Sequence, residues 1–385
     1  MKRDSFGSRF GALVALAGSA VGLGNLWRFP YLVGENGGAA FIIIYVLLCF
    51  IICLPIFISE FVVGRRAQEN AFSAFRDLSG GSAWRYVGLM TVVVPLIVVS
   101  YYSVIGGWSV EYLFKSVTFS FTAGESQSQI NTMFADFVSS PWAPLISHTI
   151  FLLATAVVVA AGIKGGIEKF SKVMMPLLFV IVLGIAIYSM TLPGARAGLD
   201  YLFNPDFSKI DAKACAAALG QAFFSLSIGF GTIMTYASYV SKKENVMFQS
   251  VATAVSDLSF ALIAGMAIMP AVFAFGLNPQ SVLALCSRLC HMYSHRCRLV
   301  VWWRFFSLSP CLLLPLLLLF QCSKLVLHIW LRKRRFPAWL PARFFLESAG
   351  CSEPSVLCLS DLFLMSIFSE EQYLISLIIC RRMSL

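Results

Sequence analysis

The stretch LVALAGSAVGLGNLWRFP, residues 13–30, is apolar enough to enter a bilayer, yet Gly18, Gly22 and Gly24 cluster at its mid-depth. A second stretch, GQAFFSLSIGFGTIMTYASYV at 220–240, places Gly229 and Gly231 beside Ser225, Ser227 and Thr232. Glycine in a membrane helix has two uses: it lets neighbouring helices approach closely, or it marks backbone that leaves the helix. Unwound backbone at that depth is tolerated only where it is covered by protein or lines a cavity. There the freed carbonyls can ligate a cation, and half-helix N-termini present amides to an anion. Two such clusters, each in the first span of a would-be five-helix repeat, favour the second use.

Around these stretches lie further apolar segments of the length needed to cross a membrane, about 20 residues. Seven spans are read near 10–33, 39–63, 86–114, 145–162, 167–191, 214–240 and 247–276. Basic loops alternate with acidic ones. Lys2, Arg3 and Arg9 precede span one; Arg65, Arg66, Arg76 and Arg85 follow span two; Lys164, Lys169 and Lys172 follow span four; Lys242 and Lys243 follow span six. Glu125, Asp136, Asp200, Asp206 and Asp211 lie on the other side. The positive-inside rule puts the N-terminus in the cytoplasm.

Composition agrees. Hydrophobic residues are 58% and charged residues 12% of 385, against roughly 45–50% and 25% in soluble chains. A water-facing globule is excluded, and the class predicted is an all-α polytopic membrane protein. The net charge of +10 forms no basic stripe with interleaved aromatics, so nucleic acid is not an expected partner; membrane lipid is. Eleven cysteines outside a short secreted chain do not imply a disulfide framework. No cleavable leader is read in the glycine-interrupted first run. Four histidines give no nucleophile–base–orienter set, so no enzyme is expected.

The chain changes character near residue 280. Of 27 glycines only Gly350 lies beyond it, whereas eight of eleven cysteines do. Lys+Arg against Asp+Glu runs 17 to 14 before the break and 12 to 5 after it. A second domain, 281–385, is one explanation. A reading-frame slip is the favoured one, since the break falls at the end of span seven with no linker before it. Within the tail, 305–331 and 355–380 could insert. Cys286, Cys290, His291, His295 and Cys297 look like a zinc group but lack short Cys-x₂₋₄-Cys knuckles. The run Arg332–Arg335 would suit anionic lipid or simply flank an apolar stretch.

GSAVGLGNLWRFPYLVGENGGAAF at 18–41, taken with QAFFSLSIGFGTIMTYASYV at 221–240, resembles the neurotransmitter:sodium symporter family, and most of all its bacterial amino-acid members. The likeness runs from about Lys2 to Asn278. It implies a leucine-transporter-like fold of inverted five-helix repeats, with the first repeat and helices six and seven present in 1–280. That paired glycine-broken spans mark a carrier's binding site is a generalisation that itself comes from such carriers.

The resemblance implies a first sodium site from Ala20, Asn25, Ser225 and, on span seven, Asp257 or its neighbour Ser256. An all-oxygen shell of this kind suits a hard cation. A second sodium site would use the carbonyls of Gly18 and Val21 with hydroxyls of the family's helix eight, which have no counterpart here. Substrate carboxylate binding maps to the amides of Leu23 and Gly24 and the hydroxyl of Tyr102. Amine binding maps to the carbonyls of Ala20, Phe224 and Ser225 and the hydroxyl of Ser227. The side-chain pocket maps to Val98, Phe224 and Phe230. Amine carriers place an aspartate where Gly22 stands, so the implied substrate brings its own carboxylate. Ser19 stands where the amino-acid carriers commonly have asparagine. Asp257 could supply the charge that chloride supplies in relatives, which implies chloride independence. Gating residues are Arg28 on the outer side and Arg3 with Tyr239 on the inner side, each missing an acidic partner from beyond residue 280. Glu60 either lies solvated at the interface beside Arg65 and Arg66 or accepts amides from the broken span six.

The expected function is therefore sodium-coupled symport of an amino acid across the inner cell membrane by alternating access. The rival is a non-transporting fragment or accessory subunit derived from such a carrier. Oligomeric state is not assigned.

Overall fold

The computed structural model describes residues 6–22, 24–118, 136–274 and 276, and every regular element among them is helical. The seven expected spans all correspond to helices. Span one is the pair Arg9–Ala20 and Gly24–Glu35, bent by 50° at the glycines. Span two runs unbroken from Ala39 to Ala67. Spans three, four and five are Trp84–Val117, Ala143–Ala160 and Lys169–Met190. Span six is split into Ala212–Ser225 and Thr232–Ala237, and span seven is Val246–Ala274. By length and hydropathy three described helices, Ala39–Ala67, Gly165–Met190 and Val246–Ala274, can each cross a membrane, and the bent span-one pair makes a fourth.

Span two shows how sequence spacing shapes local structure. Phe41, Tyr45, Cys49, Cys53, Phe57 and Phe61 recur every fourth residue, and all are fully buried. In a regular α-helix such a series drifts about 200° around the axis from first to last. The π-helical turn Cys49–Cys53 inserts about one extra residue per turn and takes back about 100° of that drift. The stripe can therefore stay against span six, while Leu47 and Ile51 on the other side are open, Ile51 at 68%. Val157 of span four and Val180 of span five are open to a similar degree, 70% and 68%. Apolar side chains facing outward along long helices are what a lipid solvent requires.

Span one lies at the centre, packed on spans five and seven and against both halves of span six. Its Val14, Ala17, Val21 and Leu26 meet Met175, Leu178 and Val182 of span five and Phe260, Ala264 and Ala267 of span seven. Spans three and four pair along their lengths. At Gly64 the end of span two presses directly on Met234 of span six, where a β-carbon would overlap the Met234 backbone. A short helix, Ala195–Phe203, covers the C-terminal half of span seven. Its Tyr201 hydroxyl donates to the carbonyl of Gly34 at 2.9 Å and lies 3.2 Å from that of Val33. The segment beyond 276, with its expected insertions, Cys/His group and basic run, lies outside the described residues.

Candidate functional site

Both interrupted spans break at the same place in the bundle. In span one the helix ends at Ala20, Val21 turns extended with its amide still on the Ala17 carbonyl, and the chain re-enters a π-helical turn at Gly24–Arg28. In span six the helix ends at Ser225 and resumes at Thr232. Between them Ser227 (φ +55°), Gly229 (φ +84°) and Gly231 (φ +68°) are all left-handed. Glycine takes that conformation freely, while serine does so at a cost of about 1–2 kcal/mol. Ser227 at φ +55° is thus held by its surroundings. Its hydroxyl donates to the Ser19 carbonyl at 3.3 Å, tying one break to the other.

A buried polar cluster fills the space between the breaks and span seven. Asn25 Nδ2 donates to Asp257 Oδ1 at 2.7 Å and lies 3.1 Å from the Asp257 carbonyl. Ser225 Oγ sits 2.9 and 2.8 Å from the two carboxylate oxygens of Asp257 and 3.2 Å from Asn25 Oδ1. The amide of Gly22 points at Asn25 Oδ1 from 3.3 Å. Asn25 and Asp257 are fully buried and Ser225 nearly so. Ala20, at the end of the first half of span one, is buried beside them. The two candidates on span seven are separated here: Ser256 donates back to the Ala252 carbonyl of its own helix, and Asp257 faces the cluster. A buried carboxylate with hydroxyl and amide oxygens around it is a hard, oxygen-only environment with one negative charge. Among the described residues no group of three or more His, Cys, Asp or Glu could hold a metal ion.

Gly18 and Val21 lie on the buried stretch of span one that faces span five. The hydroxyls that the resemblance sets opposite them come from the family's helix eight, for which this sequence offers no counterpart.

Next to Ser225 in sequence, Phe224 joins an aromatic cluster. Val98 and Tyr102 of span three pack with Phe224 and Phe230. The rings of Tyr102 and Phe224 are 6.0 Å apart, and those of Phe224 and Phe230 meet edge-on at 6.1 Å. Gly24 faces the Phe224 ring, which a β-carbon would approach to 3.2 Å. Arg28 stacks over that ring at 5.2 Å from its centroid. Such cation–π contacts contribute about 0.5–2 kcal/mol depending on desolvation.

Of the two placements weighed for Glu60, the structure has the second. Glu60 is buried and Oε1 accepts the amide of Gly229 at 2.7 Å. That amide lost its helical partner when span six unwound, and a buried amide left unsatisfied costs about 1–3 kcal/mol. Tyr239, at the far end of span six, is buried and its carbonyl accepts the Phe6 amide at 3.3 Å. Leu23 and Arg3, expected in the carboxylate site and the inner gate, lie outside the described residues.

One residue at the breaks was not read from the sequence. Gln221 is fully buried and its Nε2 donates to the Gly24 carbonyl at 2.9 Å, satisfying backbone that span one releases. The signal was present: a lone amide in an apolar helix, four residues before Ser225 and so on the same face.

The chain is similar to known proteins. The profile described as "Sodium:neurotransmitter symporter family" matches residues 3–140 and 138–282. The chain is 40% identical to the "Uncharacterized sodium-dependent transporter YhdH" of Bacillus subtilis (strain 168) over 72% of this chain and 62% of that one. It is 29% identical to the "Sodium-dependent neutral amino acid transporter B(0)AT2" of Bos taurus over 72% of this chain and 41% of that one. The solved structure of MhsT in complex with L-phenylalanine superposes with a TM-score of 0.80 at 39% identity, covering 89% of this chain and 78% of that one. The chain thus spans less than two thirds of the length of these curated relatives.

Proposed function

The chain belongs to the sodium:neurotransmitter symporter family, a family of multi-pass membrane transporters, and from that premise we propose that it is built for sodium-coupled symport of an amino acid by alternating access. Its N-terminus would face the cytoplasm and its membrane would be the inner cell membrane. The observation that carries the proposal is the convergence of Asn25, Ser225 and Asp257 on two helix breaks.

Sodium, as co-transported cargo, would sit among Asn25 Oδ1, Ser225 Oγ, the Asp257 carboxylate and the Ala20 carbonyl. Its charge would offset that of Asp257, which a low-dielectric interior otherwise penalises heavily. Holding these groups together joins span one to spans six and seven and fixes the breaks. A second ion at Gly18 and Val21 would need a partner from beyond residue 280.

The substrate would lie against the same breaks. The amides of Leu23 and Gly24 and the Tyr102 hydroxyl would meet its carboxylate. Carbonyls of Ala20, Phe224 and Ser225, with the Ser227 hydroxyl, would meet its amine. Val98, Phe224 and Phe230 would take its side chain. No acid stands at Gly22 to serve a carboxylate-free amine, which supports an amino acid. So do the B(0)AT2 likeness and the phenylalanine bound to MhsT. Arg28, above Phe224, would be the outer gating residue and Arg3 with Tyr239 the inner pair, with Glu60 holding the span-six break.

A second reading, a non-transporting fragment or accessory subunit, is favoured by one observation: the family match ends at residue 282. Uptake of labelled amino acids into vesicles driven by a sodium gradient separates the two. Uptake lost when potassium replaces sodium supports the carrier, and no uptake by well-inserted protein rejects it in favour of the fragment.

A further inference from the structure

We propose that Glu168 is a positioning residue that fastens the N-terminal end of span one, and that release of its carboxylate sets when this side of the protein opens. The opening is the one that the carrier reading requires, so the proposal rests on that reading. Glu168 closes the π-helical turn Ile163–Glu168 at the start of span five and is only 3% exposed. Its Oε2 accepts the Gly7 amide at 2.7 Å, across 161 residues of sequence. Its Oε1 accepts from the Ser8 hydroxyl at 3.3 Å and from Lys172 Nζ at 2.7 Å. Ser8 in turn caps the helix, its oxygen accepting the Gly11 amide at 3.0 Å. One carboxylate therefore organises the first turn of span one.

The other ties at this end are weaker in kind. Arg9 pairs with Glu244 at 3.0 Å, but its side chain is 78% exposed, and exposed pairs contribute little. Phe6 stacks on Tyr236 at 6.3 Å and reaches the Tyr239 carbonyl at 3.3 Å. A buried carboxylate that accepts a backbone amide is the strong contact of the set. It is also a contact that can be broken and remade. Buried charge stripped of every partner is prohibitive, but Lys172 lies one turn along on the same helix and stays with Glu168 when span one departs. The anchor keeps a counter-charge in both positions.

Gly11 provides an independent handle. A β-carbon there would overlap the Glu168 carboxylate, so Gly11→Ala pushes on the same contact from the span-one side. It does so while favouring the helix locally.

Hydrogen–deuterium exchange on the purified full chain, wild type against Glu168→Gln and Gly11→Ala, tests this. Loss of a charge-assisted contact of this kind should speed exchange in the peptide covering residues 6–16 by about tenfold. The helix at 195–203 on the far side should exchange as in the wild type. Two results overturn the proposal: both variants exchanging like wild type at 6–16, or both accelerating 195–203 as much as 6–16, which would make Glu168 a general packing residue. The readout needs no transport, so a failure of sodium-driven uptake in the wild type counts against the carrier reading alone.

Discussion

Asp257→Asn changes one oxygen to nitrogen and removes the charge that Asn25 and Ser225 meet in the buried cluster. With sodium about 2.4 Å from a carboxylate oxygen, the pair interaction at an effective dielectric of 20 is about 7 kcal/mol. More than half of that is consumed by desolvating the sodium ion, which leaves a net effect of about 2.7 kcal/mol, or about 100-fold in sodium affinity. The assay is thermal unfolding of the purified chain with sodium set at about 100 times the wild-type Kd and with potassium as control. Wild type should gain about 2.7 kcal/mol from sodium, and the variant about 0.4 kcal/mol. At two to four degrees per kcal/mol, the sodium-dependent rise in Tm should shrink by about 5–9 °C. The potassium arm carries the opposite sign. Without sodium the buried carboxylate is a liability, so the variant should melt at or above the wild-type temperature. A variant that keeps the full sodium increment, or that loses stability equally in both salts, would refute the assignment of Asp257 to the ion.

Three further outcomes follow from the same geometry. Glu60→Ala should lower Tm by about 2–12 °C in either salt, because the Gly229 amide loses its acceptor at a cost of about 1–3 kcal/mol; a melt unchanged within a degree would show that this amide finds another partner. Under the role proposed for Asp257, replacing chloride with gluconate should leave sodium-dependent stabilisation unaltered; a chloride requirement would contradict that role. Re-sequencing across the codons for residues 270–295 should uncover a frame slip, with an alternative frame restoring a glycine-containing, apolar continuation. A confirmed frame with no such continuation would make the tail a segment in its own right.

The sequence made the spans and the two breaks readable because glycine clusters and hydropathy are local signals. Helix rotation is not local. Across the 29 residues of span seven, hydropathy cannot tell which way Ser256 and Asp257 turn; in the structure Ser256 donates back to its own helix and Asp257 meets Ser225. The π turn in span two escaped because the run AAFIIIYVLLCFIICLPIF is apolar on every side, although the four-residue spacing of its buried stripe held the information. Glu168 was invisible for another reason. It sits between Lys164 and Lys169 and reads as part of a solvated basic loop until the N-terminal segment Gly7–Ser8 is laid across it.

The bond between Asn25 and Asp257 closes over 232 residues, and that distance has a meaning in time. At about 5–20 residues per second of synthesis, roughly 10–50 seconds separate the emergence of the two side chains. For that interval an amide and a broken helix wait inside the bilayer for the acid that completes them. Spans two to five must shelter the break meanwhile, and Gln221 can reach the Gly24 carbonyl before Asp257 arrives. Assembly of this site is therefore a late event in biogenesis, and a ribosome that stops anywhere before span seven leaves the side-chain amide of Asn25 without its acid.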